Sequence, residues 1–150
     1  MSNLRVFTGR YSNPNIVASG LAPIGITRYP PRFRLAYDLK ANLYDLAPTP
    51  AMLAAWKSNR ALDVFQADYE HRLVQIGLSD ILRQLSAMQA SSEGVVLLCY
   101  EDLTAGEVCH RRTFADWLHR HTGIQVPELP DPGRRVARRK LSPGSRGGQL

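Results

Sequence analysis

A cysteine, a histidine and two arginines are adjacent at residues 109–112, shortly after the acidic pair of Glu101 and Asp102. A histidine and arginines beside a thiol lower its pKa, so Cys109 is a candidate nucleophile. Glu101 and His110 are candidates for general acid and base catalysis. In the alternative interpretation Cys109 is a small buried residue, and His110 caps a helix or pairs with Glu101.

Two arginines are candidates for binding an anionic substrate. Arg28 and Arg111 can each donate two parallel hydrogen bonds to a phosphate or carboxylate. The loop that carries Tyr11 and Ser12 follows the first predicted strand and is a further candidate for substrate binding. In the alternative interpretation an arginine pairs with Glu101 inside the protein and only ties a loop to a strand.

The cysteines and histidines lack the spacing that is typical of metal ligands. No C-x-x-C pair and no H-x3-H pair occurs in the chain. Cys99 lies inside an apolar run, where its side chain is expected to be enclosed by the sheet. We therefore predict no metal site and no cofactor.

The candidate residues follow one predicted strand and begin one predicted helix. Residues 95–100 are apolar and rich in β-branched side chains, which is typical of a parallel strand buried on both faces. Glu101 follows this strand directly, and open α/β sheets bind ligands beyond the carboxyl ends of their strands. The helix that begins near Cys109 returns to this edge, and its first amide groups favour anions. The sequence therefore predicts a site at this edge.

The remaining elements favour a small α/β domain. Helices are predicted to start at Thr49-Pro50, after Ala61 and at Ser79, and short strands are predicted at residues 4–8, 24–27 and 124–129. This order predicts a single-domain, three-layer, Rossmann-like fold over residues 1–130, with a short and mainly parallel sheet flanked by helices. A disordered basic tail is predicted for residues 131–150.

The basic character of the chain belongs mainly to this tail. The net charge is +6, but the tail has six basic residues and one acidic residue, so it carries +5 and residues 1–130 carry +1. The tail is a candidate for sequence-independent contacts with nucleic acid. The loop of residues 28–34 is rich in arginine and aromatic residues, which either stack on bases or fill a small core.

The compartment is predicted from the absence of three signals. The chain has two cysteines, which fits a reducing environment better than a disulfide scaffold. It has no apolar run of about 18 residues and no signal-peptide pattern at its start. We therefore expect a cytoplasmic protein with no membrane contact.

Several of these motifs together resemble a known family. They are the Leu98-Cys99-Tyr100-Glu101 strand end, the Cys109-His110-Arg111 helix start, Ala115-Asp116-Trp117-Leu118, and Gly123 to Leu129. Weaker matches are the Thr8 to Asn13 loop and Thr27-Arg28 with Pro31. This pattern resembles the bacterial family called domain of unknown function 488 (DUF488). The family's aspartate before this arginine segment is replaced here by Ile26.

The resemblance implies a compact α/β domain with its site residues around one cleft. These residues would be Arg28, Glu101, Cys109, His110 and Arg111. The resemblance implies no particular reaction.

Two functions from different classes are consistent with the sequence. The first is an enzyme that acts on a nucleotide, a nucleic acid or another phosphate-bearing substrate, with Glu101, Cys109 and His110 as catalytic candidates. The second is a binding module for nucleic acid or nucleotides that has no catalytic activity. A cavity that exposes both Cys109 and Glu101 would favour the enzyme.

Overall fold

The computed structural model describes residues 3–133 of the chain, which form an α/β domain around a parallel sheet. The strands are β1 (Val6–Arg10), β2 (Ala22–Gly25), β3 (Ala41–Asn42) and β4 (Val95–Cys99), and the helices are α1 (Pro50–Asn59), α2 (Leu62–Ile76), α3 (Leu78–Gln89) and α4 (His110–Thr122). The predicted fold class is confirmed. None of the helices in the described part has the length and apolar character that a membrane crossing requires.

The strand predicted to be central occupies the middle of the sheet. The strand order is β1-β4-β2-β3, and every pair is parallel. All five residues of β4 are buried, as its continuous apolar run predicts. The strand predicted at 124–129 is reduced to a single bridge between Thr8 and Glu128, because Pro127 has no N–H to extend a ladder.

The two faces of the sheet are covered differently. Val95, Leu97 and Cys99 point to the face on which α3 and α4 pack, with α2 behind them. Val96 and Leu98 point to the opposite face. That face is covered by residues of the non-helical chain, including Tyr11, Ile16, Leu35, Tyr37 and Leu129. Alternation along β4 therefore directs Cys99 toward the helices.

Local chemistry explains where the helices begin. Thr49 caps α1, because its hydroxyl accepts the Met52 amide at 3.1 Å, and Pro50 takes the first helical position as predicted. The prediction that Ser79 caps α3 is wrong. Gly77, with φ of 100°, ends α2 and directly precedes α3, so Ser79 lies within the first turn.

Residues 131–133, which follow the predicted domain boundary at residue 130, contact the domain. The Asp131 carboxylate accepts two hydrogen bonds from Arg10, both at 2.8 Å, and one from the Gly133 amide at 2.9 Å. These contacts hold residues 131–133 against the carboxyl end of β1. The rest of the predicted tail, residues 134–150, lies outside the described residues.

Candidate active site

The three residues predicted to be catalytic line one cavity beyond the carboxyl end of β4. Its volume is about 60 Å³, and Glu101, Cys109 and His110 contribute to its lining. The apolar part of the wall comes from α1, α2 and the loop before α4, through Leu53, Trp56, Leu62, Phe65 and Val108. Glu101 is partly exposed, whereas Cys109 and His110 are buried.

The hydrogen bonds of His110 determine which ring nitrogen carries the proton. Its Nε2 lies 2.7 Å from the carbonyl oxygen of Ile26, and a carbonyl oxygen can only accept, so Nε2–H is the donor. In the neutral ring Nδ1 therefore keeps its lone pair. Nδ1 lies 3.8 Å from the sulfur of Cys99 and 3.9 Å from the sulfur of Cys109.

Cys109 occupies the N-cap of α4, and its sulfur accepts the Arg111 amide at 3.4 Å. The expectation that this position lowers the pKa of the thiol is wrong. Cys109 is only 5% exposed, and burial raises its pKa well above the ordinary value, with the nearby Cys99 adding to the shift and His110 opposing it. A single weak amide bond does not offset the loss of hydration.

The pKa of His110 shifts in the direction opposite to that expected from burial alone. Burial lowers it, but the adjacent Cys109 and the carbonyl of Ile26 raise it, and the net shift is upward. His110 and Cys109 therefore each influence the ionisation of the other.

The structure also brings together a set of metal-ligating atoms. Among the residues described, one ligand atom each from Cys99, Cys109 and His110 lies within 4.8 Å of the other two. The prediction of no metal site rested on local spacing. Such spacing does not detect ligands that a strand and a helix bring together from the two ends of a loop.

Arg111 is directed away from an anionic ligand by an internal partner. Its guanidinium is fully buried and donates from Nε and Nη2 to the two carboxylate oxygens of Glu128, at 3.1 and 2.7 Å. Burial lowers the pKa of Arg111, but the bonds to Glu128 and the nearby cysteines raise it by a larger amount, so the net shift is upward. Arg111 does not line the cavity. The internal ion pair considered from sequence therefore exists, with Glu128 in place of Glu101.

The other predicted substrate-binding residues also lie outside the cavity lining. Arg28 donates to the backbone carbonyls of Pro48 and Tyr44, at 3.0 and 3.4 Å. Tyr11 is buried, and its hydroxyl is 2.7 Å from that of Thr27. Ser12 is exposed. Of the residues that the resemblance places around one cleft, Glu101, Cys109 and His110 converge on the cavity, and the two arginines are held elsewhere.

Sequence reasoning missed the aromatic wall and an adjoining groove. The groove has a volume of about 420 Å³ and shares Val108, Cys109 and Thr113 with the cavity. Trp56 lies on α1 and Phe65 on α2, and in the sequence both read only as apolar residues on a helix face. Their proximity, with ring centroids 5.7 Å apart, depends on how α1 packs against α2 and has no signal in the local sequence.

Comparisons with known proteins agree with the motif pattern. A family model described as the active DUF488-N3 subclade, DUF488-N3a, matches residues 6–122. The match extends from β1 to the end of α4 and includes every residue that lines the cavity. Neither the curated proteins nor the solved structures gave a match. The matched range covers most of the chain, which therefore belongs to the DUF488 family.

Proposed function

We propose that this DUF488 protein is an enzyme that acts on a nucleotide or another small phosphate-bearing substrate at the cavity. One observation carries the proposal: Glu101, Cys109 and His110 line a single cavity beyond the carboxyl end of the central strand. Open parallel sheets bind ligands at this position. The description of the matched subclade as active agrees with an enzyme.

The reactive groups have different roles in this proposal. Glu101 is the acid or base, because its carboxylate is partly exposed and lines the cavity. The raised pKa of Cys109 disfavours a thiolate nucleophile at neutral pH. His110 faces Cys109 through Nδ1 and orients the thiol.

The size and wall of the cavity restrict the part of the substrate that enters. A volume of about 60 Å³ is far below the roughly 300–1,000 Å³ of pockets that enclose a whole ligand. Only the reacting end fits inside, and the remainder lies in the adjoining groove or at the mouth. The rings of Trp56 and Phe65 offer an apolar wall for a flat base or a sugar.

The phosphate is proposed to lie at the mouth rather than in the groove. Three acidic residues, Glu70, Glu107 and Asp116, line the groove against one lining cation, Arg112, and this excess of negative charge disfavours an anion there. The guanidinium of Arg60 lies 5.1 Å from the centroid of Trp56, which is a wall residue, and it is the cation proposed to meet the phosphate. Nucleic-acid contacts through the basic tail and a cytoplasmic location remain predictions.

Turnover of a substrate panel tests the proposal. Nucleosides, nucleotides and sugar phosphates are incubated with the wild-type chain, with Glu101→Gln and with Glu93→Gln, and products are separated by chromatography. We expect Glu101→Gln to lower turnover by about 10²–10⁴-fold. Glu93→Gln is the matched control, because Glu93 is exposed and lies just before the amino end of β4.

The same panel identifies the alternative, a binding module. A nucleotide that raises the melting temperature of the wild type and of Glu101→Gln equally, without product, would contradict the enzyme and support binding alone. Arg111, the cation expected from sequence to hold the anion, is occupied by Glu128, so it supplies no phosphate contact to either function.

A further inference from the structure

Three soft or borderline ligand atoms lie around one point beneath the cavity. They are the sulfurs of Cys99 and Cys109 and Nδ1 of His110. Cys99 comes from the end of β4, and the other two residues come from the start of α4. All three residues are less than 10% exposed, so the three ligand atoms are largely removed from water.

The hydrogen bond of His110 prepares Nδ1 for a metal. Histidines that ligate metals usually donate their other ring N–H to a carbonyl or carboxylate, which fixes the tautomer and the ring orientation. Nε2 donates to the Ile26 carbonyl at 2.7 Å, and Nδ1 is left as the lone-pair donor. This arrangement is the one expected of a metal ligand.

The separations between the ligand atoms are close to those of a zinc site. Bonds of about 2.3 Å to sulfur and about 2.0 Å to nitrogen, in tetrahedral geometry, place sulfur about 3.6 Å from nitrogen and the two sulfurs about 3.8 Å apart. The observed sulfur to Nδ1 distances are 3.8 Å for Cys99 and 3.9 Å for Cys109, and the Cys99 sulfur also lies 3.5 Å from Nε2. The two sulfurs and the ring nitrogen all lie within 4.8 Å of one another. Small side-chain adjustments would close the site.

We propose that Cys99, Cys109 and His110 bind one Zn²⁺ ion, with its fourth position open to the cavity. Two thiolates, one imidazole and an open position form the ligand pattern of a catalytic rather than a structural zinc. Glu101 lines the same cavity, where it can accept a proton from a zinc-bound water. The catalytic use of the ion rests on the proposed function, whereas its binding does not.

Zinc binding balances the charge of the buried cluster. Zn²⁺ replaces the two thiol protons, which pass to solvent, so the two thiolates neutralise the ion. The Arg111 amide already donates to the sulfur of Cys109 at 3.4 Å and remains in place as a second contact. The cluster then holds no uncompensated charge, although it is almost completely removed from water.

Metal titration tests the site on the full chain. The protein is treated with a chelator, kept reduced with a phosphine, and titrated with Zn²⁺ and separately with Co²⁺. We expect one ion per chain, with a zinc dissociation constant below about 10⁻⁷ M. Co²⁺ should give sulfur-to-cobalt charge-transfer absorption together with the intense visible bands of a four-coordinate ion.

Variants locate the ion. Cys109→Ala and His110→Gln should each weaken zinc binding by about 100-fold or more and remove or shift the cobalt bands. His71→Gln is the matched control, because His71 is exposed and lies on the middle of α2, and it should bind as the wild type does. Circular dichroism of each variant shows whether it is folded.

The wild-type titration decides the question even if a variant does not fold. Absence of tight zinc binding, cobalt spectra without sulfur ligation, or a Cys99–Cys109 disulfide that forms in place of the metal site would each overturn the proposal. Tight zinc binding without turnover of any substrate would leave the site standing and count against the proposed function. Turnover that chelation does not change, in a chain that binds no zinc, would overturn the zinc site and leave the proposed function standing.

Discussion

The start of α4 and the loop of residues 28–34 both contain arginines. The arginines stand beside a cysteine and a histidine in α4 and beside aromatic residues in the loop, and the two regions differ in how deeply these side chains are buried. Arg111 is fully buried and held by Glu128. In the loop, Tyr29 is 66% exposed and Phe33 is 49% exposed, and Arg32 and Arg34 are exposed as well, whereas Arg28 is partly buried. The start of α4 therefore holds Arg111 in an internal ion pair, whereas the loop exposes most of its arginine and aromatic side chains to solvent.

The difference shows that an arginine-rich motif has two separate uses. At α4 the guanidinium ties the helix to the segment after it, which positions Cys109 and His110 under the cavity. The ring of Phe33 in the loop packs against that of Tyr100, which follows β4, with centroids 6.2 Å apart, and both rings are exposed rather than enclosed in a small core. This exposure favours the base-stacking alternative for residues 28–34, which stays a prediction.

The largest effect is expected from breaking the internal ion pair. Glu128→Ala leaves the guanidinium of Arg111 buried without a countercharge, which should lower the free energy of unfolding by about 3–5 kcal/mol. Urea denaturation measures this change. Glu93→Ala removes an exposed carboxylate and should cost less than about 0.5 kcal/mol. Equal, small losses would show that Arg111 is hydrated and would remove the contrast with the loop.

The thiols of Cys99 in β4 and of Cys109 at the start of α4 should react slowly, as buried groups do. In chelator-treated protein, iodoacetamide should modify Cys99 and Cys109 at least about 100-fold more slowly than a free thiol, because both are buried and burial raises the pKa of Cys109. Peptide mapping before and after denaturation measures both rates. Rapid modification of Cys109 in the folded chain would instead restore the reactive-thiol hypothesis.

The second buried ion pair should appear in the pH dependence of stability. Burial raises the pKa of Asp131, but Arg10 and the Gly133 amide lower it more, so the net shift is downward. Its stabilisation is therefore present above the ordinary carboxyl pKa and is lost as pH falls through the depressed value. Both side chains are about 5% exposed, and Asp131→Asn should cost about 1–3 kcal/mol near neutral pH.

The acid side of the stability curve provides the check on this pair. Asp131→Asn should flatten the fall in stability of the wild type between about pH 5 and the depressed pKa. An unchanged acid profile would mean that Asp131 is hydrated in the folded protein and that residues 131–133 are not anchored.

The smallest effect on stability is expected in the loop. Arg32→Ala and Arg34→Ala should each change the free energy of unfolding by less than about 0.5 kcal/mol, because both side chains are exposed. If this surface contacts nucleic acid, each change should remove one phosphate contact. The slope of log affinity for single-stranded DNA against log salt concentration should then fall in magnitude by about 1. A large loss of stability would show that the loop is structural, like α4.

The elements with regular apolar patterns were predictable, and those defined by distant contacts were not. The buried run of β4, the Thr49 cap and the Cys109 helix start all carry local signals, and the structure confirms them. Strand β3 has two residues, Ala41–Asn42, and too short a pattern to detect. It forms because β2 offers a free edge.

The sequence predicted the location of the site more accurately than the partners and pKa shifts of its residues. Its position at the end of β4 follows from the strand run and the returning loop. The partner of Arg111 was missed because Glu101 is the carboxylate at the end of β4, where the helix was expected to return, whereas Glu128 arrives through the bridge to β1. The direction of the Cys109 pKa was missed because depth of burial is a property of the packed domain.

The position of β4 in the sheet also determines when the protein can fold. β1 and β2 pair with β4 and not with each other, and β4 is the last strand among residues 3–133. During synthesis, β1 cannot pair with β4 until the residues of β4, Val95–Cys99, have left the ribosome. Such nonlocal pairing slows folding and leaves apolar strands exposed meanwhile. A chain that ends before β4 has no sheet in which to place its first strand.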